Sequence, residues 1–279
     1  MYIKCWGSRG SIPVSGCEFE KYGGDTTCIE IRTRSDDLII VDAGTGIRRL
    51  GSQLIGENRH VYNFIFTHSH WDHLLGFPFF KPLYDAAAQI RMHRCPFPGR
   101  YVENIVTKLM RPPHFPVRYS DLTAQMTYLK GCPDAFEIGS VTVTPIALSH
   151  PNGGCGYKFE EDGKTFVFLT DNELGYVHPG GCRYSDYMDF CREADILIHD
   201  AEFTPGEYKD SIEWGHSSCM DTLRLAMESG VRQLGLFHLN QERTDAAMDR
   251  LVDGCRKYLA DNGGQMECFG VSRDMAFDL

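Results

Sequence analysis

The stretch "NFIFTHSHWDHLLG", residues 63–76, decides how the rest of the chain is read. An apolar run from Asn63 to Phe66 gives way to His68, His70, Asp72 and His73, then turns apolar again. A lone histidine is ordinarily a satisfied surface or core residue, and His60, His93, His114 and His178 are read that way. Four ligand-type side chains within six residues point instead to a metal. Imidazole nitrogen and carboxylate oxygen bind zinc at about 2.0–2.2 Å, and a polar loop after a buried strand holds such side chains still. His68 and His70, alternate residues on a turn, can converge on one ion, while Asp72 and His73 are displaced enough to serve a second. Two ions roughly 3.5–4 Å apart share a water and lower its pKa, which makes a nucleophile near neutral pH. Trp71, between the ligands, is read as packing beneath the metal loop.

Working outward, strand-like runs occur at "CIEIRT", "LIIVD", "NFIFT", "VTVTPI", "GYKFE", "TFVFLTD", "DILIHD" and "LGLFH". Helical patterns lie between some of them. "SSCMDTLRLAMESG" offers Ser217 as an N-cap and Gly230 as a stop, and "TDAAMDRLVDGCRKYLADNGG" offers Thr244 and Gly263. Interleaved strands and helices predict a layered α/β chain. "LIIVDAG", "FIFTHSHWDH", "FVFLTDNE", "ILIHDAE" and "LGLFHLN" each end an apolar strand in Asp or His, so one polar site assembled from distant segments is expected at the strand ends. The stretch from Phe77 to Gly131, rich in Pro and aromatics with some helix around "RYVENIVTKLM", reads as an inserted lid-like segment on a single domain spanning 1–279.

The bulk composition excludes several classes. A chain of 279 residues buries a substantial core without staples, and its eleven scattered cysteines include no Cys-x-x-Cys pair, which fits a reducing cytoplasm rather than a disulfide framework or zinc ribbon. No run approaches the ~20 apolar residues of a membrane span, so no membrane partner and a cytoplasmic location are expected. A net charge of −10 disfavours tight binding to long nucleic acid. Between Lys81 and Arg118, however, seven basic residues (Lys81, Arg91, Arg94, Arg100, Lys108, Arg111, Arg118) face two acidic ones, Asp85 and Glu103, and such a segment suits a small anionic substrate.

His-x-His-x-Asp-His after an apolar strand resembles the signature of the metallo-β-lactamase fold, and the resemblance covers most of the chain. It implies a four-layered αββα sandwich of two similar halves. It also implies later ligands at isolated strand-end residues: His150 in "LSHPNGG", Asp171 in "FLTDNE" and His238 in "LFHLN". By that resemblance His68, His70 and His150 hold one ion, Asp72, His73 and His238 the other, and Asp171 bridges. His70 stands where a glutamate would mark the diiron flavoprotein branch, which places zinc ahead of manganese or iron among divalent ions.

The segment "WGHSSCMDTLRLAMESGVRQLGLFH" resembles the His-Ser-Thr segment of ribonuclease Z-like phosphodiesterases, which makes His216 a catalytic histidine and Asp200, in "ILIHDAEFT", its orienting partner. An imidazolium there protonates a leaving oxygen, and a carboxylate fixes its tautomer and raises its pKa. The openings "CWGSRGSIPVSG", "YGGDTTCIEIR" and "VDAGTG" resemble a bacterial subgroup of these proteins. Their glycines are expected to let backbone approach the metal loop, and Asp42 and Asp25 are candidates for holding metal-bound histidines or for capping turns. Two features depart from the pattern: Leu239 and Asn240 follow His238 where relatives have His-Asp, and no long Gly- and Lys-rich tRNA-clamping arm is present.

The expectation is therefore a dinuclear metal-dependent phosphodiesterase acting on a small or cyclic nucleotide. A metal-bridging hydroxide attacks phosphorus, Asp72 orients it or accepts its proton, and His216 assists the leaving oxygen. The alternatives are a tRNA 3′-end endonuclease of the ribonuclease Z type, a lactone or thioester hydrolase of the same fold, and a silent metal-binding sensor. The aromatic patch "GFPFFKPLY" reads as a lid core or a homodimer contact, with the dimer favoured by the resemblance.

Overall fold

The computed structural model describes residues 1–93, 101–129 and 134–279. The first half supplies β1 (Tyr2–Gly7), β2 (Cys28–Arg32), β3 (Leu38–Val41), β4 (Val61–Ile65), β5 (Gln89–Met92) and β6 (Gln125–Tyr128). The second supplies β7 (Phe136–Ile138), β8 (Val141–Ala147), β9 (Cys155–Glu161), β10 (Lys164–Leu169), β11 (Ile196–Asp200), β12 (Gln233–Phe237) and β13 (Glu267–Gly270), and β14 (Ala276–Asp278) returns to the first sheet. Two seven-stranded sheets result, in the orders β14-β1-β2-β3-β4-β5-β6 and β13-β12-β11-β10-β9-β8-β7. All eight runs read as strands are strands. The helices are α1 (Ile47–Gly56), α2 (Trp71–Leu74), α3 (Tyr101–Leu109), α4 (Tyr184–Phe190), α5 (Pro205–Tyr208), α6 (Cys219–Glu228) and α7 (Asp245–Asp261).

Strand periodicity builds the layers. Ile39 and Val41 of β3 enter a core between the sheets with Ile29, Ile31, Phe166, Phe168, Ile196, Ile198 and Phe237, while Leu38 and Ile40 enter an outer core with Ile47, Leu50 and Leu54 of α1. On the other sheet Val167, Leu169, Leu197, Leu234 and Leu236 face Leu223 of α6 and Leu251 of α7. Strands covered on both faces must be apolar at every position, which is why "LIIV" and "FVFL" lack polar alternation. Each fully buried Leu, Ile or Phe contributes about 1.5–3 kcal/mol. The architecture is the αββα sandwich.

Three local readings change. Ser218, not Ser217, caps α6 by accepting from Asp221 N–H. Ser217 is drawn inward instead, its hydroxyl donating to Asn172 O (2.5 Å) and accepting from Leu174 N–H (3.0 Å). The segment read as an irregular insertion over Phe77–Gly131 supplies two strands, β5 and β6, which extend the first sheet in parallel beside β4. At four residues each they are too short for their alternation to stand out among prolines and aromatics. Of its basic residues, Arg94 and Arg100 lie outside the described residues, and Lys81, Arg91, Lys108, Arg111 and Arg118 are exposed.

Parallel runs in both sheets send their C-terminal ends to one seam: Asp42 and His68 after β3 and β4, and Asp171, Asp200 and His238 at or after β10, β11 and β12. The loop after β1 crosses that seam. Leu239 N–H donates to Ser8 O (2.9 Å), and Gly10 N–H donates to Leu239 O (3.0 Å). The buried Arg9 guanidinium donates to the carbonyls of Gly23, Asn240 and Arg243.

Candidate metal centre

After β4, a polar loop leads into the single turn of α2, which buries Asp72, His73 and Leu74. The structure brings the seven sequence-read ligand candidates into two groups. His68, His70, His150 and Asp171 form one, and Asp72, His73, Asp171 and His238 the other, each with one ligand atom per residue lying within 4.8 Å of the rest. Asp171 belongs to both. His238 Nε2 lies 3.1 Å from Asp171 Oδ2 and 3.2 Å from Asp72 Oδ2. His150 Nε2 and His70 Nδ1 are 3.0 Å apart.

The donor set fits divalent ions. Among the described residues, the buried Nε2 atoms of His68 and His73 have no hydrogen-bond partner, although His73 Nε2 lies 3.2 Å and His68 Nε2 3.6 Å from Asp171. Orphaned nitrogens aimed at a carboxylate without hydrogen-bond geometry are what a cation between them satisfies. Without an ion the groups polarise one another. Burial, then the neighbouring His73, drives His68 well below the ordinary imidazole range. His73 is held well above it, because the carboxylates of Asp72, Asp171 and Asp42 overcome its burial. His150 is pushed down to about 3, chiefly by burial.

Three strand-end residues, Asp42, Asp171 and His238, have left-handed backbone with φ of 63°, 51° and 56°. Such conformations cost non-glycine residues about 1–3 kcal/mol each and persist where the surroundings over-determine them. Here they turn each side chain off the end of its strand toward the seam.

Outer partners fix the candidate ligands. Asp42 Oδ2 accepts from His73 Nδ1–H (2.7 Å) and from the Thr67 hydroxyl (2.6 Å), and its Oδ1 accepts from Thr67 N–H (2.8 Å), so His73 Nε2 must face the cluster. Asp25 takes the other reading: it accepts from the Thr45 hydroxyl (3.1 Å) in a turn. His150 Nδ1–H donates to Gly215 O (3.0 Å), and Ser11 N–H donates to Asp72 Oδ2 (2.9 Å). Glycines permit the close approaches. A Cβ on Gly10 would sit 2.4 Å from the His238 ring, and one on Gly44 would sit 2.3 Å from Asp72 O. Asp42→Ala is expected to weaken metal affinity about 10–100-fold, by freeing the His73 ring and reversing its tautomer preference. A competitive chelator titration measures this, and an unchanged dissociation constant would refute the role of Asp42.

Glu202 is a residue the sequence reading did not single out. Its Oε2 accepts from His238 Nδ1–H (3.0 Å) and its Oε1 from Asn240 Nδ2–H (2.8 Å). It thereby supplies the support that the Leu239–Asn240 departure left open, and the acidic end of "ILIHDAE" was its signal.

His216 stacks on His238 with ring centroids 4.5 Å apart and planes at 15°. Its Nδ1–H donates to Asp200 Oδ2 (2.7 Å), while Asp200 Oδ1 accepts from Ser217 N–H (2.9 Å). With Nδ1 committed, Nε2 is left for the cleft of about 400 Å³ that His216 lines with His70, Trp71, Asp72, Asp171 and His238. Burial opposes the imidazolium, but Asp200 and then Glu202 outweigh it and hold His216 up at about 9. Trp71 departs from its reading as buried packing: it is 76% exposed. On a four-residue helix that turns Asp72 and His73 inward, the residue before them faces out.

A family profile described as "Beta-lactamase superfamily domain" matches residues 38–239, which include every ligand candidate. The chain belongs to the beta-lactamase superfamily. Within it, the chain is 22% identical over 302 residues to a ribonuclease Z of Haloarcula marismortui, covering 92% of this chain and 91% of the relative. Among solved superfamily folds it is similar to the metallo-beta-lactamase fold protein YhfI from Bacillus subtilis, with a TM-score of 0.70, 17% identity and coverage of 99% and 98%. It is also similar to a diphosphatase from the PhnP family, with a TM-score of 0.68, 16% identity and coverage of 100% and 97%. At those identities the solved structures establish the superfamily fold alone. No described helix is long and apolar enough to cross a membrane.

Proposed function

We infer that this chain is a divalent-metal-dependent phosphodiesterase acting on a small or cyclic nucleotide. The observation that carries the reading is His216: an imidazole fixed by Asp200 at 2.7 Å, its pKa raised by the Asp200 and Glu202 carboxylates, beside a cluster of metal-type ligands. Acyl hydrolysis has less need of such a pair. In this reading His68, His70 and His150 take one ion, Asp72, His73 and His238 a second, and Asp171 both, with zinc the first candidate and manganese or iron the next.

Bound divalent ions would polarise the phosphoryl oxygens and lower the pKa of water at the site. The chain does the rest. Asp72, steadied by Ser11 N–H, takes up the proton released as water adds to phosphorus. His216 gives its Nε2 proton to the departing ester oxygen, which leaves as an alcohol, and Asp200 stabilises the ring throughout. In a cyclic substrate the freed hydroxyl stays on the product.

A second reading, RNA 3′-end cleavage, is favoured by the relatives named ribonuclease Z. The net charge of −10 and the lack of a clamping arm favour the small substrate. The deciding experiment offers zinc- or manganese-loaded protein 3′,5′-cyclic mononucleotides, bis(p-nitrophenyl) phosphate, a precursor tRNA and a γ-lactone. Turnover of the small diesters is expected. A strong preference for precursor tRNA would establish the second reading, and activity confined to the lactone would overturn both.

A further inference from the structure

Beside the metal-side cleft lies a second cleft of about 560 Å³, whose lining includes Trp71, Leu75, Pro78, Phe79, Ile105 and Phe115 together with Lys108 and His114. The two clefts adjoin, and Ser69 and Trp71 line both. One wall is α2 and the turn after it, and the other is α3 with the segment that follows it. Trp71 (76%) and Phe79 (53%) are among the most exposed large hydrophobic residues of the chain, and Phe79 meets Phe115 edge to face at 5.6 Å. Neither Trp71 nor Phe79 is part of the buried cores. Yet Trp71 sits in sequence between His70 and Asp72, one residue from each metal group.

Resting on the phosphodiesterase reading, we propose that this apolar cleft is the base-binding subsite. It holds the purine or pyrimidine of a small nucleotide whose phosphate lies at the metal groups, with the base against Trp71 and Phe79. Three observations select a base over an aliphatic occupant. The cleft adjoins the phosphate end through Ser69 and Trp71, its two most exposed large apolar residues, Trp71 and Phe79, are aromatic, and its lining includes a cation, Lys108, and an imidazole, His114, suited to ring nitrogens and exocyclic oxygens. Aromatic faces accept any base, so the subsite confers a preference for nucleotides over simple diesters rather than for one base over another.

The test compares adenosine 3′,5′-cyclic phosphate with its abasic 1-deoxyribose counterpart on the zinc-loaded protein. The ratio of their kcat/KM values is expected to fall at least about tenfold in Trp71→Ala and in Phe79→Ala, mainly through KM, with partial recovery in Trp71→Phe. Phe79 lies outside the metal loop, so its variant guards against a Trp71 change that merely disturbs the ligands. Calorimetric titration with AMP and ribose 5-phosphate gives a readout without turnover: AMP should bind at least about tenfold tighter, and Phe79→Ala should erase the difference. An unchanged ratio in both alanine variants, at wild-type metal content and circular dichroism, overturns the subsite. If no diester is hydrolysed, the phosphodiesterase reading falls and the titrations alone judge the cleft, with equal AMP and ribose 5-phosphate affinity refuting it.

Discussion

Asp171→Ala is expected to abolish diester hydrolysis and to remove metal from both halves of the site at once. Asp171 is the one residue shared by the two ligand groups, and its carboxylate lies within 3.6 Å of ring nitrogens of His68, His73 and His238. Its loss leaves the first group with imidazoles alone and the second with a single carboxylate. Since even an outer partner is worth about 10–100-fold in metal affinity, removing a shared ligand must exceed that range. Metal content after gel filtration is the measurement. A variant that emerges with a wild-type complement of metal would remove Asp171 from the bridging position.

His216→Ala separates chemistry from metal binding. Turnover of a diester with a poor alkoxide leaving group should fall by about 10²–10⁴-fold, the usual range for a lost general acid, with metal content unchanged. A p-nitrophenyl ester, whose leaving oxygen needs no proton, should lose far less. That contrast is what a merely structural role cannot reproduce. If metal content falls in step with activity, the stacking of His216 on His238 is its principal contribution, and the proton-donor role fails.

What the sequence disclosed follows from what side chains can signal. The clustering of residues 68–73 and the convergence of the five polar strand ends were legible because a charged or imidazole group at the end of an apolar strand is costly without a purpose. Much of the outer support was not legible, because it comes from backbone. The N–H of Ser11 on Asp72 and the carbonyl of Gly215 on His150 leave no mark in residue type. Glu202 could have been read, but a third polar residue after "IHD" looks like an ordinary loop start until β11 and β12 are set side by side. Ser217 and Ser218 are equivalent as caps by composition, and only the position of Asn172 O separates them. Trp71 was misread because burial averaged over a motif says nothing of which way a single helical turn faces.

The left-handed residues that close β3, β10 and β12 also have a bearing on how the sheets are aligned. A residue in that conformation does not continue the extended ladder, so the pairings of β3, β10 and β12 with their sheet neighbours end before Asp42, Asp171 and His238, and Leu239, beyond the last of these, bridges Arg9 in the loop after β1 instead. Sliding any of these strands by one place would carry a charged or imidazole side chain into the apolar layer and turn its neighbours inside out. The kinks that aim the ligands thus also fix the register of the strands that carry them, so strand alignment and ligand placement are specified by the same three residues.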